Sequence, residues 1–168
     1  MNIAMPLTDY HPRNVFLCDT VPNTVMADST FTRILFSNES ITLVGLHLQL
    51  HVEGARDEQY YQKTRTVFDV STNAGVISFV ERIESNILDM IGVNKKRVTK
   101  LADQLRHGIL RSATHACWSS TGPNFVLKIT GVWETDGEYG VTYKVTDATR
   151  LAQQSVVYPS VEKKASTT

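Results

Sequence analysis

From residue 44 to residue 52 apolar and polar side chains alternate without a break. Val44, Leu46, Leu48, Leu50 and Val52 stand against Gly45, His47, Gln49 and His51. A period of two buries one face of a strand and wets the other. Residues 31–37 form the first strong strand, and Asn38, Glu39 and Ser40 make the turn between the two. Residues 53–59 read as a polar turn around Gly54. Residues 60–70, rich in Tyr, Thr, Val and Phe, read as a strand. Then the period lengthens. Val76, Val80, Ile83, Ile87 and Ile91 follow helical spacing, with Asn73 as cap and Gly92 as stop. A second helix is expected over 95–107, capped by Asn94, striped by Val98, Leu101 and Leu105, and ended by Gly108. Only Val93 and Asn94 separate the helices, which predicts a tight helical hairpin. Residues 109–118 return to strand, and 119–124, marked by Gly122-Pro123, to loop.

Residues 125–134 and 138–147 carry the strongest hairpin signal, around Asp136-Gly137. A two-residue loop would set Phe125, Leu127, Ile129 and Trp133 on one face with Gly140, Thr142 and Lys144. With the three-residue loop Thr135-Asp136-Gly137, Gly137 takes a left-handed conformation and leaves a bulge. Trp133 then faces Tyr139, Ile129 faces Tyr143, Leu127 faces Val145, and Thr130 meets Thr142 on the outer side. A slip of one residue exchanges the two faces, so burial predicts the three-residue register.

The ends are less patterned. Residues 1–13 hold Pro6 and Pro12 and read as extended; 14–18 is a short strand and 20–30 a loop containing Pro22. After Ala148 the pattern fades, and 160–168 is small and polar. The predicted organisation is an N-terminal arm with a short strand over 1–30, a domain over 31–147 and a C-terminal arm over 148–168. The fold class is α+β: an antiparallel β-sheet, sandwich or barrel with an inserted helical hairpin.

Composition narrows the functions. A chain of 168 residues is expected as one domain with a core that needs neither metal nor disulfide. The formal net charge is +0. Dedicated nucleic-acid binders carry a basic excess, so any such site here must be a local patch. Cys18 and Cys117 match no ligand spacing and read as reduced thiols. No signal peptide or membrane span is expected. Asn38-Glu39-Ser40 fits a glycosylation acceptor only by chance, without a secretory signal.

The common catalytic devices do not occur. The sequence has no phosphate-binding glycine loop, no H-E-x-x-H, no paired C-x-x-C and no G-x-S-x-G. His47 and His51, four residues apart on a strand, lie about 13 Å apart, too far for one metal ion. His115 and Cys117 would share a strand face about 7 Å apart, with no third ligand. Glu81 and Glu84 read as a solvated helix face. Turn chemistry accounts for Asp136 between Glu134 and Glu138. No cofactor and no enzyme activity are expected.

One cluster suggests a partner. Lys95, Lys96, Arg97 and Lys100 open the expected second helix, and Tyr60, Tyr61, Lys63 and Arg65 lie on an expected strand. Cations interleaved with aromatics suit single-stranded nucleic acid, charge for phosphates and flat faces for bases. Cations at a helix start oppose its dipole, which favours a partner there.

The run Phe125-Val126-Leu127-Lys128-Ile129-Thr130-Gly131-Val132-Trp133-Glu134-Thr135, followed by Glu138-Tyr139-Gly140-Val141-Thr142-Tyr143-Lys144-Val145, resembles the closing hairpin of a group of small uncharacterised proteins of nucleocytoplasmic large DNA viruses. Phe31 to Ser37, Phe68-Asp69-Val70 and the Ile83, Ile87, Leu88 stripe resemble the same group, so the likeness spans about 31–147. It brings no catalytic residues with it. It implies a non-enzymatic virion protein, a minor capsid or cementing component, holding other capsid proteins through its arms. Such a protein would reside in the virion and, during assembly, in the host cytoplasm. The alternative is a single-stranded nucleic-acid-binding protein on an OB-like β scaffold.

Overall fold

The computed structural model describes residues 3–61, 63–111 and 124–148. The chain is α+β, with two helices and two sheets, and among the described residues the main sheet is open rather than closed into a barrel. The strands in chain order are β1 (Met5–Pro6), β2 (Val15–Pro22), β3 (Thr30–Ser37), β4 (Thr42–Val44), β5 (Leu46–His51), β6 (Arg56–Tyr60) and β7 (Lys63–Val67). Helix α1 (Ala74–Ile91) follows, then β8 (Lys96–Val98), α2 (Lys100–Arg106), β9 (Ile109–Leu110), β10 (Asn124–Glu134) and β11 (Glu138–Asp147).

Strand β10 is the spine of the main sheet. On one side it pairs antiparallel with β11. On the other, its first half pairs with β5 and its second half with β3. Two strands therefore share one edge of β10 end to end. The long alternating segment 44–52 cannot be one strand for that reason. It breaks at Gly45, so that β4 pairs with β3 and β5 with β10. Gly45 has φ +86°, and a Cβ there would sit 2.9 Å from the Ile129 carbonyl oxygen. Only glycine fits this corner. The alternation keeps its meaning on one side of the break. Leu46, Leu48, Leu50 and Val52 are sealed, whereas Val44 is 56% exposed.

The hairpin combines both registers. Next to the turn, Glu134 pairs with Tyr139, Trp133 with Gly140 and Gly131 with Thr142, so the loop is Asp136-Gly137. Beyond Thr130, Ile129 pairs with Tyr143 and Leu127 with Val145. The extra residue is Thr130, not one of the turn, and the expected Trp133–Tyr139 pair does not form. The turn is closed by Thr135, whose hydroxyl accepts from the Glu138 amide at 3.1 Å. Gly137 is not among the residues of positive φ. Placing the bulge at Thr130 lets Phe125, Leu127 and Ile129 face inward before it and Val132 after it, all at most 1% exposed. Both halves of the strand thus keep an apolar inner face.

The N-terminal segment is no free arm. β1 pairs in parallel with β5, and β2 runs eight residues against β3, with Thr20 to Pro22 inside it. Met5, Tyr10 and Val15 are buried, and Tyr10 meets the Phe79 ring of α1 edge-on. A spacing of five residues, at 5, 10 and 15, is the period of neither a strand nor a helix, so sequence pattern could not reveal this packing. Residues 56–59, expected as turn, belong to strand β6, which pairs with 63–67, and within 53–59 only Glu53-Gly54 turns. Of the strand expected over 109–118, Ile109–Leu110 pairs with β7; residues 112–123 and the C-terminal arm after 148 lie outside the described residues.

Helix α1 begins after Asn73 and stops at Gly92, which is left-handed at φ 68°. Asn73 holds the N-cap position as expected, but its side-chain amide donates to the Glu53 carbonyl and makes no cap bond. The second helix is shorter than expected. Lys96, Arg97 and Val98 form β8, paired in parallel with Glu138, Tyr139 and Gly140, and α2 begins only at Lys100. There is no tight helical hairpin, because the open edge of β11 takes up these residues first. α2 receives its cap from α1. Thr99 makes no side-chain cap bond, and Glu84 Oε2 accepts from the Ala102 amide at 2.9 Å. Glu84, expected on a solvated face, is therefore 0% exposed, and its Oε1 has no partner among the described residues. Burial pushes its carboxyl above the ordinary value, against the pull of the Ala102 and Leu101 amides. Both helices pack on one face of the sheet at β11. The core between them joins Ile83, Ile87, Leu101 and Leu105 to Ile34, Leu48, Leu127 and Val145.

Candidate functional site

The helices cover one face of the main sheet, and among the described residues the other lies open. Its floor is built from two glycines. Gly131 and Gly140 carry no side chain, and an aromatic ring lies over each. A Cβ on Gly131 would come within 2.5 Å of the Phe31 ring, and one on Gly140 within 3.0 Å of the Trp133 indole. Phe31 and Trp133 are themselves direct cross-strand partners. Aromatics laid over strand glycines replace the missing contact area. Beside them Thr130 and Thr142 meet, the Thr130 hydroxyl donating to the Thr142 carbonyl at 3.2 Å.

The wall is the 23–29 loop between β2 and β3. Asn23 Oδ1 accepts from the Val25 amide at 3.0 Å, the Asn23 amide donates to the Ser29 carbonyl at 2.9 Å, and Ser29 Oγ donates to the Met26 carbonyl at 2.8 Å. The loop so held carries Val25 outward, 94% exposed, with Met26 and Val21 also open. With Val44 opposite, these residues enclose a groove of ≈ 760 Å³ over Phe31 and Trp133, edged by Arg33 and Lys128. Exposed aliphatic residues gathered round one groove differ from the scattered ones any surface carries.

A row of basic residues crosses the sheet at the groove's end. Register sets His47 of β5 opposite Lys128 of β10, and Lys128 opposite Lys144 of β11. Directly opposed residues of a sheet share a face. Arg33, Lys128 and Lys144 pair with no carboxylate among the described residues. Burial, and to a smaller extent Lys128, lowers the His47 imidazole below its ordinary value, while the Val44 carbonyl raises it. His47 Nε2 lies 3.2 Å from that carbonyl. His51 is held by Asn124 at 2.9 Å. Among the described residues no group of three His, Cys, Asp or Glu is placed to hold a metal ion.

The expected basic cluster is arranged differently. Lys95 Nζ donates to Glu134 at 2.6 Å and to the Thr135 carbonyl at 2.7 Å. Lys96 pairs with Glu138 at 2.9 Å. Arg97 pairs with Asp89 at 2.5 Å and donates to the Tyr139 hydroxyl at 2.7 Å. Lys100 is exposed at the start of α2. The other half of the cluster sits in the separate β6–β7–β9 sheet. There Arg65 pairs with Glu58 at 2.6 Å, Tyr60 and Lys63 are cross-strand partners, and Tyr61 is 85% exposed at φ 54°. The two halves thus belong to different sheets, and Lys95, Lys96, Arg97 and Arg65 already hold carboxylates. Sequence reasoning missed Phe31, Arg33, Val44, Lys128, Trp133 and Lys144. The signal available for the last three was the hairpin register, whose lower half sets Lys128 against Lys144.

No helix among the described residues is long and apolar enough to cross a membrane. No family model, curated protein or solved structure matches this chain.

Proposed function

We propose that the chain is a non-enzymatic structural protein of a large DNA virus particle, a minor capsid or cementing component that holds neighbouring virion proteins. The observation that carries this reading is the open face of the main sheet, where Val21, Val25, Met26 and Val44 stand exposed around one groove. A surface of that kind serves contact with another chain. The resemblance of the terminal hairpin supplies the viral setting, and the net charge of +0 suits a protein partner better than a polyanion. The N-terminal segment is built into the sheet, so contact falls on the outer face and on the C-terminal arm at 148–168. The chain would then reside in the virion and pass through the host cytoplasm during assembly. Single-stranded nucleic acid is the weaker reading, because most cations proposed for it are engaged in ion pairs. Quantitative mass spectrometry of purified particles tests the proposal. A fixed copy number per particle is expected; particles free of the chain would overturn it.

A further inference from the structure

We infer that the outer-face groove takes an extended, acidic and apolar segment of a partner protein, with its carboxylates against Lys128, Lys144 and Arg33. This deepens the structural reading proposed above and rests on it. The first argument is charge. Lys128 and Lys144 are directly opposed across the hairpin, with His47 opposed to Lys128 on the other side. Like charges in that position destabilise a sheet. At the β8 edge, by contrast, Lys95, Lys96 and Arg97 each have an acid within 2.9 Å. On the outer face the answering acids are absent among the described residues, and a partner that brings them relieves the repulsion.

The second argument is shape and lining. Aliphatic walls, Val25 and Val44 above all, suit aliphatic side chains of a strand-like segment that points alternate residues into the groove. Other occupants fit less well. A second copy laid face to face would bring Lys128 and Lys144 against the same cations. A single nucleic-acid strand would use the cations, but bases need flat faces. Among the described residues lining the groove only Phe31 and Trp133 offer them, each half-buried over its glycine.

The test is panning of a phage-displayed random dodecapeptide library on the immobilised full chain, with the selected peptides then measured by fluorescence anisotropy. Selection of sequences that alternate Asp or Glu with Val, Leu or Ile is expected. Affinity should fall about tenfold or more in Lys144→Glu. That variant gains a cross-strand Lys128–Glu pair and should melt at a higher temperature than the parent, so lost binding cannot be lost folding. Val44→Lys should abolish selection of aliphatic residues. Three results overturn the inference: no enrichment, acid-poor sequences, or peptides indifferent to Lys144→Glu. Tighter binding of a fluorescent ten-nucleotide thymidine strand than of any selected peptide, lost in Lys144→Glu, also overturns it and assigns the row to nucleic acid. Particles that contain the chain while the groove selects nothing would sink this inference alone. Acidic peptides bound by a chain missing from particles would sink the structural reading alone.

Discussion

Strand β10 has one face under the helices and one that, among the described residues, no helix covers, and the two are built by different rules. Inside, Phe125, Leu127, Ile129 and Val132 are sealed against α1, α2 and the neighbouring strands. Outside, Lys128, Thr130 and Trp133 border an open groove, and Lys128 faces another lysine. The inner face is arranged for stability at every position. The outer face accepts a like-charge pair and exposed aliphatic residues, arrangements that folding alone does not favour. Where one strand shows both, the stable side reports the fold and the unfavourable side points to a use.

The largest test of this contrast is Leu127→Ala. It opens a cavity in the sealed core and should cost about 2–5 kcal/mol in urea unfolding. Thr130→Ala, three residues away and at the bulge, should stay within about 0.5 kcal/mol. Equal losses at the two positions would erase the distinction between the faces. Next in size is Gly131→Ala, the point where the outer face does depend on packing. The added methyl would meet the Thr32 carbonyl oxygen at 2.4 Å and the Phe31 ring at 2.5 Å. A loss of about 1–3 kcal/mol is expected.

Glu84 gives the inner face a pH signature. Its carboxyl is pushed up by burial, so the folded protein binds this proton more tightly than the unfolded chain does. Its stabilising contribution is full below the ordinary value of 4.5 and is lost as pH rises through the raised folded value. Wild type should therefore gain stability relative to Glu84→Gln on acidification from neutral pH toward 4.5. A pH-independent difference between the two, measured by thermal melts across that window, would refute the assignment. The smallest effects are electrostatic. Lys144→Glu should stabilise the free protein by about 0.2–1 kcal/mol, by turning a like pair into an opposite one. Lys96→Ala, which removes an exposed and already satisfied pair, should cost no more than about 1 kcal/mol.

Much of the fold was legible. Periodicity located β3, β5, α1 and the β10–β11 hairpin, because each buries one regular face. The α+β class followed from that. What periodicity could not supply was neighbourhood. Lys95, Lys96 and Arg97 look like a helix start until the open edge of β11 is known to lie beside them. The Gly45 corner is hidden inside a flawless alternation, since nothing in that run shows that β10 has two partners on one side. The site was less legible for the same reason. Side chains adjacent in sequence were grouped as a cluster, whereas the unanswered cations Arg33, Lys128 and Lys144 come from three strands. Lys128 and Lys144 could have been paired from register, but His47 joins them only once β5 is placed.

The shared edge of β10 also sets the order in which the molecule can come apart. β5 and β3 bond to one edge of this strand and β11 to the other, so β10 has no free edge from which its ladders can fray. Deuterium uptake at Val126 to Val132 should thus track global unfolding, while the β6–β7–β9 hairpin sheet, with its own separate ladder, exchanges through smaller openings.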